Sequence, residues 1–221
     1  MPKNKIQIVW FKRDLRITDH RPIFEASINS IPTLPIYIVE TDYWKQPFAS
    51  KRHWSFIHDS LKDLRKDLKN IGQSLIVRSG SVKKIFEELS HRYNIVSILS
   101  HEETGNHWTY DRDKSLQNWC LQNNISFTEF PSNGIVRRLK NRSEWSKIRN
   151  LRMKEKQVST PTNLIPLIGI EEGVIPSKED SIFENNYKGI VQKGGRRQAL
   201  KILESFLSYR GKNYTFNISK P

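Results

Sequence analysis

The chain has 221 residues, 36% of them hydrophobic, which suits one sizeable domain of roughly 130–150 residues plus extra elements. No stretch approaches the roughly 18 apolar residues of a membrane span. The start, Met1-Pro2-Lys3-Asn4-Lys5, runs straight into a strand-like segment with no room for a secretion signal, and the single cysteine, Cys120, excludes an internal disulfide and any cysteine-built metal site. A soluble cytoplasmic protein with no membrane partner is therefore expected. The formal net charge of +14 points either to a polyanionic partner, through counterion release, or to a lysine-rich solvated surface.

In chain order, Ile6–Phe11 and Pro35–Val39 are near-continuous runs of aliphatic and aromatic residues, as in strands buried on both faces. Trp54, Ile57, His58, Leu61, Leu64, Leu68 and Ile71 recur every three or four residues and predict a helix that stops at Gly72. Leu75–Val77 predicts the next strand. After Gly80-Ser81, Val82, Ile85, Phe86, Leu89 and Tyr93 predict a second helix, and Ile95–Leu99 a fourth strand. A helix from about His107 to Asn124, burying Leu116, Trp119 and Cys120, leads to Ile125–Phe130, whose alternation fits an edge strand. Strands alternating with helices predict right-handed βαβ units. The fold class expected is α/β: a five-stranded, parallel, doubly wound, Rossmann-like sheet flanked by helices, with a C-terminal connector and one more helix.

The pattern breaks near Pro131. Arg137–Lys156 carries nine basic and two acidic residues. Gln157–Lys193 is rich in Pro, Gly, Ser and Asn and reads as a connector that wraps the domain or is partly mobile. After Gly194-Gly195 a last helix places Ala199, Ile202, Leu203, Phe206 and Arg210 on one face, which calls for a partner surface.

Phosphate-loop, dinucleotide-fingerprint and nucleophile-elbow motifs are absent, and His101-Glu102-Glu103 lacks the second histidine of a zinc-protease helix, since Gly105 stands there. No catalytic or metal-binding residue is assigned. The informative segment is Trp10-Phe11-Lys12-Arg13-Asp14-Leu15-Arg16-Ile17-Thr18-Asp19-His20, at the carboxyl end of the first strand, where open α/β sheets bind ligands. Its charges could hold an anionic or heteroaromatic ligand. Alternatively Asp14 or Asp19 pairs with Arg13 or Arg16 and caps the next helix.

That segment closely resembles the opening signature of the DNA photolyase/cryptochrome family, W-F-[RK]-R-D-L-R-[LV]-x-D-[NH]. Arg52-His53-Trp54-Ser55-Phe56-Ile57 with Ser60-Leu61, Leu75–Gly80, Glu102–Asn106 with Tyr110–Asp113, Phe130–Leu139, and Gly194-Gly195 through Tyr214, Ser219 and Pro221 resemble further family segments in the same order. The resemblance implies an antenna domain over 1–135, a basic segment and interdomain connector over 136–193, and the first helix of a truncated FAD-binding domain over 194–221. It implies light-dependent DNA repair or blue-light sensing, with FAD and the carbon–carbon lyase chemistry in the half that this sequence does not reach, so that the chain alone is expected to be inactive. An FAD-binding domain or separate chain is the expected partner, and DNA the partner of the family.

By the same resemblance and the strand-end rule, an antenna chromophore is placed near Phe11, Lys12, Arg13 and Asp14, with Glu40, Asp42, Arg52, Glu102 and Glu103 completing the rim. A glutamate that grips the pterin in folate-binding members is replaced by Thr109, so deazaflavin or flavin is expected rather than folate. Arg137, Arg138, Lys140, Arg142, Lys147 and Arg149 are the candidate nucleic-acid contacts; the alternative is a helix with Trp145, Ile148 and Leu151 packed inward and its arginines in solvent. Trp10, Trp44, Trp54, Trp108, Trp119 and Trp145 are expected to be packing residues. The competing readings are a stand-alone module for a nucleotide-like or pterin-like ligand or for nucleic acid, without photochemistry, and, more remotely, a nucleotidyl-transferring enzyme.

Overall fold

Apolar runs with buried faces on both sides can be satisfied only between two layers of helices, and that is what forms. In the computed structural model, which describes residues 3–183, 189 and 191–219, five strands make one all-parallel sheet. They are β1 (Lys5–Phe11), β2 (Thr33–Val39), β3 (Ile76–Ser79), β4 (Asn94–His101) and β5 (Ser126–Phe130), in the spatial order β3-β2-β1-β4-β5. The first and last few residues, including Pro221 of the terminal segment, and part of the predicted connector (184–188 and 190) lie outside the described residues.

One face of the sheet is covered by α1 (Arg21–Ile28) and α3 (Lys51–Asn70), around Val9, Phe11, Trp54, Leu61, Leu64 and Leu68. The other carries α4 (Val82–Arg92) and α5 (His107–Gln122), around Ile8, Trp10, Phe86, Leu116 and Trp119. The winding direction therefore reverses between β1 and β4, and the loops leaving those two strands splay apart there, as ligand clefts of open α/β sheets require. The short helix α2 (Thr41–Trp44), which follows β2 directly, was too brief to show a period in the sequence.

The connector wraps the domain. Leu164, Leu167 and Phe183 are buried, Thr33 N–H donates to the Ile165 carbonyl, and Val77 N–H on the outer strand β3 donates to the Glu172 carbonyl at 2.7 Å. A Cβ on Gly173 would lie 2.1 Å from the Val77 carbonyl oxygen, so this contact needs glycine. The basic segment departs from the expected packing: α6 (Trp145–Lys154) buries no residue, Trp145 and Leu151 are exposed, and it is Arg152 that reaches inward, to the Ile135 carbonyl. Its four apolar residues are spread among four cations and two short polar residues and make no single apolar stripe to dock by burial.

The last helix, α7 (Arg196–Ser208), is tethered at its start. Gly195 N–H donates to Ser60 Oγ and Arg197 N–H to Asp63, while Gly194 lies so close to α3 that a Cβ would sit 1.9 Å from the Phe56 carbonyl oxygen. Beyond that point Leu200, Leu203 and Leu207 stay largely exposed.

Candidate functional site

The carboxyl ends of β1, β2 and β4 hold a buried ionic network. Arg112, near the middle of α5, donates to Glu40 at 2.6 Å, to Glu103 at 2.6 Å and to Asp113, with its guanidinium 4.8 Å from the centre of the Trp10 ring. Lys12, whose side chain is only 3% exposed, pairs with Asp113 and Glu129 at 3.2 and 3.0 Å, and Glu129 also pairs with Arg137. Arg13 pairs with Glu103 and donates to the Tyr43 hydroxyl. Four cations thus face four carboxylates.

Charge is not shared evenly within it. Glu103 has two arginines, and although burial works against its charge, they hold it below the usual carboxylate range. Glu40 depends on Arg112 alone. Burial, aided by the charges of Glu103 and Asp113, pushes its pKa up to about 7 despite that pairing. The single thiol, Cys120, is pushed by burial up to about 12 and offers no nucleophile.

Beside the network, Asp14 forms a second cluster and overturns the expected cap. Neither Asp14 nor Asp19 closes α1 through an arginine. His20 is the N-cap: its Nδ1 accepts the Ile23 N–H, its Nε2 faces Asp14 Oδ2 at 2.6 Å, and His101 Nδ1 meets the same oxygen from β4. Asp19 instead accepts the Val158 N–H and ties down the connector, while Arg16 donates to the backbone carbonyls of Thr18 and Asp19. Burial works against the charge on Asp14, but the two histidines outweigh it and hold the carboxyl well below its usual value; burial lowers His20.

The donor atoms of Asp14, His20 and His101 lie within 4.8 Å of one another, the spacing of a metal site. The hydrogen bonds argue otherwise. His20 Nδ1 accepts a backbone N–H and so carries no proton, which leaves the proton on Nε2, the atom that would have to bind the metal. Coordination would demand an imidazolate, and the trio is better described as a hydrogen-bonded latch between β1, α1 and β4.

Of the residues singled out for a ligand, Lys12, Arg13, Glu40 and Glu103 line one small cavity of about 50 Å³ at the strand ends, with Phe11 and Arg112. Phe11 is fully buried and stacks on His20. Asp42 is exposed and pairs with Lys45. The 50 Å³ cavity takes one or two waters and no fused-ring chromophore. Glu102, which also faces Arg152, lines a separate cavity of about 240 Å³ with Lys12, Arg13, Asp14 and Glu103. The roomy space lies next door: a groove of about 960 Å³ whose lining includes Arg13, Tyr43, Arg52, Phe56 and Arg196. Arg52 thus belongs to this groove, Asp14 to it and to the 240 Å³ cavity, and Arg13 borders all three spaces. Thr109 is buried within the first turn of α5, bonded to the Asn106 N-cap, and lines none of them.

Sequence reasoning missed Arg112 as the hub, Tyr43 and Phe56 as groove walls, and His101 as the partner of Asp14. Arg112-Asp113 did stand out as a pair, but Glu40 lies 72 positions from Arg112 and leaves no local spacing to read. Among the nucleic-acid candidates, Arg137 is tied into the network, with its side chain only 14% exposed, whereas Arg138, Lys140, Arg142, Lys147 and Arg149 are on the surface or partly exposed.

Residues 7–164 match the family model described as DNA photolyase. Cryptochrome DASH of Xenopus laevis is 27% identical over 227 residues, a match covering 92% of this chain and 43% of the relative. Among solved structures, a cryptochrome of Synechocystis sp. PCC6803 has a TM-score of 0.76 at 18% identity, covering 97% of this chain and 49% of that one. An archaeal photolyase of Sulfolobus tokodaii has a TM-score of 0.67 at 21% identity, covering 89% and 45%. The two structures are alike in fold. The chain spans less than half the length of each of these three relatives.

Proposed function

Because the chain belongs to the DNA photolyase family, we propose that it is the light-harvesting α/β part of a photolyase- or cryptochrome-type protein and holds a planar chromophore in the groove beside Arg13. The observation that carries this reading is the lining of that groove. Tyr43, Phe48 and Phe56 offer aromatic walls for a flat ring system, and Arg13, Arg16, Arg52 and Arg196 offer cations for an anionic tail. The groove also opens at the point where the sheet reverses its winding, where ligands of this architecture sit. A bound chromophore would absorb a photon and pass the excitation to FAD held by the other half of the protein. The chain's own part would be to orient the ring, pair its charge and keep water from it.

A flavin or deazaflavin suits the groove better than a folate, since Thr109 supplies no carboxylate and is buried away from it. The Sulfolobus tokodaii photolyase is described with two FAD molecules, with the implication of a novel light-harvesting cofactor, which supports a flavin as the occupant here. In this reading residues 1–135 are the antenna domain, 136–193 the basic segment and connector, and 194–221 the first helix of the FAD-binding domain. The exposed side chains of Leu200, Leu203 and Leu207 would then pack against that domain, supplied in the same or a separate chain. DNA is the partner of the assembled protein, and catalysis is not assigned to this chain.

The test is an absorption spectrum of the purified chain after incubation with flavin, deazaflavin or folate and removal of excess ligand. A retained band of flavin or deazaflavin type, abolished by Tyr43→Ala with Arg52→Ala, is the expected result. A protein that stays colourless, or a band unaffected by the double substitution, would overturn the placement.

A further inference from the structure

We propose that His101, held in place by Asp14, recognises the hydrogen-bonding edge of the chromophore, and that the site selects a ring bearing an imide, an N–H between two carbonyls. The inference rests on the chromophore reading above and adds to it the residue that decides which way round the ring sits.

His101 ends β4 and is only 4% exposed. Its Nδ1 faces Asp14 Oδ2, the oxygen that also takes the His20 Nε2 proton. Asp14 is held as a carboxylate and can only accept, so the His101 ring keeps its proton on Nδ1 and presents a lone pair at Nε2. None of the described residues donates to that nitrogen. The latch between β1, α1 and β4 therefore uses one side of the ring and leaves the other as a recognition point for an incoming donor.

The ring lines the cavity of about 240 Å³ together with Lys12, Arg13, Glu102 and Thr104. The charges there are already matched. Lys12 pairs with Asp113 and Glu129, Glu103 with Arg13 and Arg112, and Glu102 lies 3.6 Å from Arg152. Two donors are unused. Arg13 commits Nε to Glu103 and Nη2 to Tyr43, which leaves Nη1, and Thr104 Oγ1 accepts from Asn133 without donating its own proton. One lone pair together with two free donors complements an edge that reads carbonyl, N–H, carbonyl.

Isoalloxazine and its 5-deaza analogue both carry that edge. A pterin has an amino group in place of one carbonyl and would set donor against donor. The cavity and the groove have Arg13 and Asp14 in common, and the Arg13 side chain, 58% exposed, is the part of their shared boundary with room to move. In this arrangement a ring stacked on Tyr43 turns its imide into the cavity and its hydrocarbon edge toward Phe48 and Phe56.

The test compares riboflavin with 3-methylriboflavin, in which a methyl group replaces the imide proton. Each is titrated into the full chain with flavin fluorescence as the readout. The parent chain should bind the methylated flavin at least about tenfold more weakly, since a site built to accept a proton rejects the analogue that lacks it. His101→Asn keeps an N–H for Asp14 but has nothing in place of Nε2. It should bind riboflavin about as weakly as the parent binds 3-methylriboflavin, and should no longer tell the two apart. A purely structural role for His101 would lower both affinities together and leave their ratio unchanged. Thr104→Val leaves the latch intact and removes a donor to one imide carbonyl, so it should weaken riboflavin binding by about threefold or more. Equal binding of both flavins by the parent, undiminished discrimination by His101→Asn, or unchanged riboflavin affinity in Thr104→Val overturns the inference while the chromophore reading stands. Binding of neither flavin overturns both.

Discussion

Arg112 is shared by Glu40, Glu103 and Asp113, and the sharing decides which carboxylate is least secure. Removing the guanidinium would leave buried carboxylates with too little positive charge, so Arg112→Gln is expected to cost about 3–5 kcal/mol of unfolding free energy, measured by denaturant titration. Glu40 gives a subtler test. Its pKa rises on folding from about 4.5 to about 7, so the folded state holds that proton where the unfolded chain has lost it. The stabilisation is complete below about pH 4.5 and vanishes as pH rises through 7, a change on the order of 3 kcal/mol. Glu40→Gln should therefore gain stability relative to the parent as pH is raised from 5 to 8; a difference independent of pH would remove Glu40 from this account. The latch behaves with the opposite sign. His20 is lowered from its ordinary value near 6.5, so below that pH the unfolded chain takes up a proton that the folded one resists, and stability falls on acidification. Asp14, held well below its ordinary value, adds a further loss in more acidic solution. His20→Asn keeps a good capping residue and should flatten the decline in melting temperature between pH 7 and 5.

At the scale of elements, the strands and the long helices were legible because burial repeats with a period. The core face of α3, from Trp54 to Leu68, follows its apolar spacing, and the alternation of Ile125–Phe130 correctly marked an edge strand. What could not be read was set by distance or by backbone. The cap of α1 went to His20 rather than to an Asp–Arg pair, because a partner from β4, His101, arrives from 87 positions away. The inward packing expected of α6 failed because its position is held by Arg149 and Arg152 against a loop. The docking of α7 rests on two adjacent glycines whose meaning appears only once Phe56 is seen against them. Gly194→Ala should therefore detach the start of α7, at a cost of about 1–3 kcal/mol. The check is amide exchange: the Gly195 and Arg197 N–H groups should lose protection while β1 and β4 keep theirs. In the parent chain, residues 200–208 should already exchange faster than the sheet, as expected of a helix whose apolar side has no cover; exchange as slow as in the strands would count against a missing partner.

For the molecule as a whole, fold and family were legible over most of the chain, while the candidate site was only half legible. The sequence placed a chromophore around the charges at the strand ends, and those charges prove largely to neutralise one another. The adjoining groove draws its walls from α2, α3 and the start of α7, elements whose juxtaposition no linear motif records. No described helix is long and apolar enough to cross a membrane. The way the connector seals β3 also bears on how the protein is made. Val77 receives its hydrogen-bond partner from Glu172, roughly 95 residues later in the chain. On a ribosome adding about 5–20 residues per second, the outer strand would wait several seconds with its amides unsatisfied after it emerges. Until Gly173 is synthesised the nascent chain offers an open strand edge, the kind of surface to which chaperones and other unfinished chains adhere.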